Sequence, residues 1–296
     1  MRGRGGPNRE GKIYGPGVDS LMRFRPYLLS FSMLAGLAMP RQSETSLLSQ
    51  CHYRAQPDTV RVLAAALQEV SGLAFHRGLL LAHDDEFGRI YSINPVTGAV
   101  AIFATLRGPI RDDFEGIAVL RDTVWLMTST GNLYGVRATP STTPVAFSLR
   151  VTGLGKRCEL EGLASDEAKG VLLLPCKTLP KKERGVVVYR WNVALGALAT
   201  PATVTLTHGA VKQAGIPNLH PSAIEIVPRT GHLLVLSSGP PALLEVDGAG
   251  IPTGGTRLSG RHPQPEGLAI TENGDVYISD EGGTGPGTLS VYRCHP

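Results

Sequence analysis

A chain of 296 residues with 36 Gly, 22 Pro and only 6% aromatic side chains suits many short strands joined by tight turns. Its net charge of +4 misleads, because the first 38 residues carry six of the 29 basic side chains and two of the 25 acidic ones. The remainder is balanced, which removes the electrostatic case for a nucleic-acid partner and leaves one β-rich domain as the expectation.

The chain opens with an Arg/Gly-rich stretch in which Met22 offers a second start. Arg23 and Arg25 then precede an apolar run from Tyr27 to Met39. A basic segment before a short apolar core predicts a secretory signal, with Gly36-Leu37-Ala38 as the cleavage region. The run is too short to span a bilayer comfortably, so no transmembrane anchor is expected after cleavage. Gln50 sits where a lipid-anchored Cys51 would want a small residue. The expected organisation is leader and signal over 1–38, linker over 39–56, and folded domain over 57–296. A secreted or periplasmic location follows.

From residue 70 a short pattern returns five times: Ser71-Gly72-Leu73-Ala74, Glu115-Gly116-Ile117-Ala118, Glu161-Gly162-Leu163-Ala164, Ser222-Ala223-Ile224-Glu225 and Glu266-Gly267-Leu268-Ala269. The first residues of these copies are spaced by 44, 46, 61 and 44. A β-rich period in the mid-forties predicts stacked four-stranded blades, hence an all-β, five-bladed β-propeller, with six blades as the alternative. Within blade one, strands are expected at Ser71–Phe75, Gly78–Ala82, Arg89–Ile93 and Ala99–Leu106. Blade two should use Glu115–Leu120, Thr123–Thr128 and Leu133–Arg137. Blade three should use Glu161–Ser165, Val171–Cys176 and Val186–Trp191. The long step to blade four leaves about 194–219 for a lengthened outer strand and loop. Blade four follows with Ser222–Val227, His232–Ser237 and Ala242–Asp247. Blade five has Glu266–Thr271, Val276–Ser279 and Thr288–Arg293, with Asn273-Gly274 as a hairpin turn. Thr59–Leu67 then supplies the missing outer strand of blade five and closes the ring, unless its Ala-rich end is helical.

Export makes four cysteines an even set for disulfides. Cys158 and Cys176 flank a hairpin about Glu167–Gly170 and are expected to pair. Cys51 and Cys294 bracket the repeat region and are expected to latch its ends. Other connectivities, or four buried thiols, stay open.

In a propeller the first strand of each blade lines the channel, so Gly or Ala after the motif residue relieves crowding. The motif residue itself lies at one mouth, and the end of the antiparallel second strand returns there. That places Glu115, Glu161 and Glu266, with Ser71 and Ser222, opposite His83-Asp84-Asp85-Glu86, Lys177 and Asp280-Glu281. Two carboxylates about 6 Å apart repel by roughly 3 kcal/mol at an effective dielectric near 20. Three must share protons, bind a cation or be neutralised by Lys177. Oxygen donors suit Ca²⁺, with Glu115, Glu161, Glu266, Asp85 and Asp280 as candidate ligands. Zinc wants nitrogen or sulfur, and His83 is the only histidine beside these acids. Structural hydrogen bonding between blades and metal-free acid–base chemistry are the alternatives. Ser71, Ser222, Lys177, His83 and Glu281 are the candidate ligand-binding residues.

Glu69–Phe75, His83–Glu86, Asp113–Ala118, Pro221–Ile224, Gln264–Ala269 and Tyr277–Gly282, in this order, resemble the bacterial SdiA-regulated propeller family over roughly 65–294. The resemblance implies a five-bladed propeller with a calcium site, distantly similar to the strictosidine synthase and NHL-type propellers. It implies no particular activity. The Arg/Gly-rich start and the insertion between blades three and four depart from it.

Two functions remain. One is a calcium-binding propeller that recognises a small molecule or protein at the channel mouth. The other is a calcium-dependent hydrolase of esters, lactones or phosphates, with His83 or His220 handling protons. No Gly-x-Ser-x-Gly elbow, His-Glu-x-x-His pair or phosphate loop is present.

Overall fold

The computed structural model describes residues 45–53, 55–177 and 185–296; the leader and signal expected over 1–38 lie outside them. Among the described residues twenty strands form five four-stranded antiparallel sheets. Blade one holds Val70–His76, Leu79–Asp84, Arg89–Ile93 and Val100–Thr105. Blade two holds Phe114–Leu120, Thr123–Thr128, Asn132–Arg137 and Ser148–Val151. Blade three holds Ala164–Asp166, Val171–Pro175, Gly185–Asn192 and Ala197–Thr207. Blade four holds Pro221–Ile226, Leu233–Ser238, Pro241–Val246 and Pro252–Arg257. Blade five holds Pro265–Ile270, Val276–Asp280 and Thr288–Tyr292.

The fourth strand of blade five is Thr59–Val62, which pairs antiparallel from Thr59 opposite Val291 to Val62 opposite Thr288. The N-terminal end of the domain thus closes the ring on its last blade. The strand stops earlier than expected: Ala65–Leu67 is a 3₁₀ turn, as its alanines allow. The blade-three insertion contains the lengthened outer strand, Ala197–Thr207, and also a helix, His208–Gln213. Thr207 caps that helix by accepting from the Ala210 N–H, a local signal of the kind that opens helices. Residues 45–53, expected as linker, include the helix Leu47–Gln50. The Leu47 and Leu48 N–H groups donate to the two oxygens of buried Glu245, each at 2.9 Å. That carboxylate satisfies helix-end donors that would otherwise lack partners.

The core is divided among the blade interfaces. Five apolar clusters lie between successive sheets, for example Leu126 with Ile90 between blades one and two, and Leu73 with Tyr277 between blades five and one. Strands buried on both faces read as near-continuous apolar runs; Val171–Pro175 is buried throughout. Each fully buried leucine contributes about 2 kcal/mol, so every interface carries a share of the ring's stability.

Both expected disulfides are present, Cys51–Cys294 and Cys158–Cys176, with Cα separations of 4.7 and 5.7 Å. Among the described residues no helix is long and apolar enough to cross a membrane.

Candidate functional site

The five motif residues occupy one structural position. In blade one Val70 faces Asp84 and Gly72 faces His83, so Ser71 is an extra residue in a β-bulge. Glu115, Ser222 and Glu266 occupy the same bulge in their blades. In blade three Leu160 faces Cys176 and Ala164 faces Leu173, which again leaves one extra residue. A bulge bends the strand and re-aims its side chain, and here it brings Glu115, Glu161 and Glu266 close enough for their charges to interact. Blade three departs most, since its first strand begins only at Ala164, later than the expected Glu161. Gly162 there adopts φ +82° and brings its α-carbon so near that an added Cβ would lie 2.9 Å from Ala223 Cα. At Gly116 an added Cβ would meet Gly162 and Leu163 at 2.8 Å. Side chains at these positions would push the blades apart, the crowding expected of an inner strand.

Two further positions repeat with the same geometry. The carbonyls of Glu69, Asp113, Glu159, His220 and Gln264, each two residues before a motif residue, accept from the N–H groups of Asp85, Ser129, Lys177, Ser238 and Glu281. The mouth is therefore three superposed rings of five. Together they carry Glu69, Asp85, Asp113, Glu115, Glu159, Glu161, Glu266 and Glu281 against Lys177 and His220. Blade four, with His220, Ser222 and Ser238, contributes no carboxylate to them.

The three motif glutamates sense one another. Burial pushes the Glu115 carboxyl up to about 8, helped by Glu161, then Asp113 and Glu266, while Lys177 opposes the shift. Burial likewise raises Glu161 to about 7 against the pull of Lys177, with Glu266 and Glu159 adding to the rise. Lys177 Nζ lies 2.5 Å from Glu161 Oε2 and 3.9 Å from Glu159 Oε1. Burial works against the Lys177 ammonium, but its contact with Glu161 outweighs that and raises it. Ser71 donates to Glu115 Oε2 at 3.2 Å.

On the side of blades five and one, Gln264 Nε2 donates to Glu266 Oε1 at 3.0 Å and also to Glu281 Oε2. Burial, the contact with Glu266, and then Glu69 and Asp85 push Glu281 up to about 9. Asp85 is raised to about 6 by burial and by Glu69.

The remaining expected residues are placed differently. Ser222 is buried and donates to the Pro265 carbonyl at 2.6 Å, joining blades four and five. Asp280 turns one oxygen to His262 Nδ1 at 2.8 Å, and His262 Nε2 meets Tyr292 Oη at 2.6 Å. Its other oxygen, Oδ1, is buried without a partner among the described residues. His83 is fully buried beneath Gly72, with Nδ1 2.9 Å from the Asp84 carbonyl. Burial pulls it down to about 4, so it is neutral at ordinary pH and enclosed below the mouth. His220 carries its carbonyl into the ring through Ser238.

Glu69, Asp113, Glu159 and Gln264 belong to the mouth but were not singled out by sequence reasoning. The signal was available: each stands two residues before a motif residue. Their types differ from blade to blade, so only position, not identity, announces them.

The donors gathered here are oxygens, which fits a hard divalent cation in charge and in kind. Among the described residues no three acidic, His or Cys side chains already stand as a metal cage; Lys177 supplies the positive charge against Glu161.

The fold resembles several solved structures. A glutaminyl cyclase from Myxococcus xanthus aligns with a TM-score of 0.55 at 14% identity, over 80% of this chain and 95% of that one. A protein of unknown function from Bacteroides thetaiotaomicron aligns at 0.48 and 15% identity, over 76% of this chain and 56% of that one. At 14% identity the first of these likenesses shows the fold alone. No curated protein matches the sequence. The family model for SdiA-regulated proteins matches residues 45–284, and the chain belongs to that family.

Proposed function

We propose that this propeller is an exported binding protein whose acidic mouth takes a divalent cation, calcium first, and recognises its ligand there. The observation that carries the reading is the trio Glu115, Glu161 and Glu266, brought to equivalent places in their blades, with Glu115 and Glu161 raised by burial and by the neighbouring carboxylates, Glu266 among them. Carboxyls in that state hold protons or want a cation. Glu115, Glu161 and Glu266 would hold the ion, with the Ser71 hydroxyl beside Glu115. The ion would supply the charge that the lone Lys177 ammonium only partly provides. Two disulfides support export, because such bonds persist outside the cytoplasm. The ligand, a small molecule or a protein, would meet the ion and the outer acids Asp85 and Glu281.

Calorimetric titration and thermal melting with Ca²⁺ test the reading. Saturable binding that raises the melting temperature, and is weakened at least tenfold in Glu161→Gln, is the expected result. No heat and no shift at millimolar Ca²⁺ would remove the cation from the account.

A second reading, a calcium-dependent hydrolase, draws on one observation: Glu115 and Glu161 are raised to about 8 and 7, near the range where a carboxyl exchanges protons at neutral pH. Those glutamates, not the enclosed His83, would then serve as acid and base. Turnover on aryl esters, lactones or phosphomonoesters with added Ca²⁺, lost in Glu161→Gln, would favour it; silence across the panel would favour binding.

A further inference from the structure

The opposite end of the channel carries a second cavity, of about 920 Å³, that all five blades line. Its floor is apolar, with Ala74, Ala118 and Ile270 at the far ends of the first strands. Its rim is charged and divided by blade. The residue six places after each motif residue stands in the turn to the second strand: Arg77, Arg121, Glu167, Pro228 and Glu272. The two arginines fall on blades one and two; Glu225 and Glu272 fall on blades four and five. Arg77 lies 3.4 Å from Asp122, and Lys169 is paired with Asp166. The Arg121 guanidinium and the Glu272 carboxylate have no side-chain partner among the described residues. Glu225 Oε1 accepts only the adjacent Ile226 N–H, at 2.8 Å.

Arg77 and Arg121 are the only non-glycine residues described with positive φ, at 48° and 55°. Glycine or asparagine would occupy that region at lower cost. Two arginines held so at equivalent turns, both on one mouth, are the kind of outlier that points to function.

We propose that this second mouth binds a small zwitterion, an amino acid or short peptide with both ends free, its carboxylate toward Arg121 and its ammonium toward Glu225 and Glu272. The apolar floor takes the body between the charges, and the volume falls in the range of small-molecule sites. An arginine suits the carboxylate end because its planar donors match two oxygens. Burial pushes the Glu225 carboxyl up to about 8, and an ammonium beside it supplies the cation that its surroundings lack. The site is separate from the acidic mouth and stands or falls without the calcium reading.

The test is calorimetry on the folded chain with the dipeptide Ala-Leu, its N-acetyl form and its C-terminal amide. The free dipeptide is expected to bind, and each blocked form to bind at least tenfold more weakly. Arg121→Gln should abolish the preference for free acid over amide, and Glu225→Gln should reduce the preference for free amine over acetyl. The comparison of blocked and free ligands on the unaltered protein needs no variant to fold. Absence of heat with every form would overturn the proposal. So would equal binding of all three, or a dipeptide signal that vanishes in Glu266→Gln, which would place the ligand at the acidic mouth instead.

Discussion

The two ends of the channel are made by the same five inner strands, yet they differ in how charge is held. At the acidic mouth the side chains emerge from bulges and meet carboxyl against carboxyl, with Lys177 as the balancing ammonium beside Glu161. At the opposite mouth they emerge from turns, and arginines on blades one and two face acids on blades four and five across an apolar floor. The lesson lies in the bulge. One extra residue per blade concentrates like charge where a plain strand end would have dispersed it, and concentrated like charge asks for a counter-ion.

The disulfides fall one to each end and give the strongest way to break the comparison. Cys51–Cys294 lies beside Gly274 and below the second mouth; it closes a loop spanning 243 residues. Its replacement by paired serines should cost about 5 kcal/mol in the chain-entropy account. Melting should register the loss, while calcium affinity at the far mouth stays within about twofold. Cys158–Cys176 spans 18 residues and abuts Glu159 and Lys177 in sequence. Removing it should cost about 3 kcal/mol and also weaken calcium binding, because it anchors the segment that leads from Cys158 into Glu161. Equal effects of both pairs on calcium would deny that the mouths are separable.

A smaller effect follows from the raised carboxyls. Glu115 and Glu161 ionise near 4.5 when unfolded and at about 8 and 7 when folded. Between those values the folded state holds more protons, so stability should fall as pH rises from about 5 to 8. Calcium should flatten that slope, and its binding at pH 7 should release protons, visible as a heat that changes with the buffer's ionisation enthalpy. A stability that rises across the same window would contradict the assignment. Smallest of all, Lys177→Met should raise calcium affinity about tenfold by removing the competing ammonium, and should lower the melting temperature only when calcium is absent. Unchanged affinity would show that Lys177 does not share the cation's place.

Much of this was legible in the sequence because propeller geometry is carried by repetition. The spacing of Ser71, Glu115, Glu161, Ser222 and Glu266 fixed the number of blades, and Thr59 to Val62 was left over to close the ring. The cysteine pairs followed from where hairpin and termini had to lie. What escaped notice had local causes. Ser222 and Asp280 have the right residue types at the right mouth, but their oxygens turn to Pro265 and His262, a choice of rotamer that spacing does not encode. His83 stands next to the acids in sequence; strand alternation sends it beneath Gly72 instead. The helix His208–Gln213 hid in a segment where no other blade has an equivalent for comparison.

The most direct measurement is anomalous scattering from crystals grown with Ca²⁺. A calcium peak coordinated by oxygens of Glu115, Glu161 and Glu266, with Lys177 drawn away from Glu161, is the predicted result. Density that leaves the ammonium seated on Glu161, with no heavy scatterer among the three carboxylates, would contradict the claim that this mouth is a cation site.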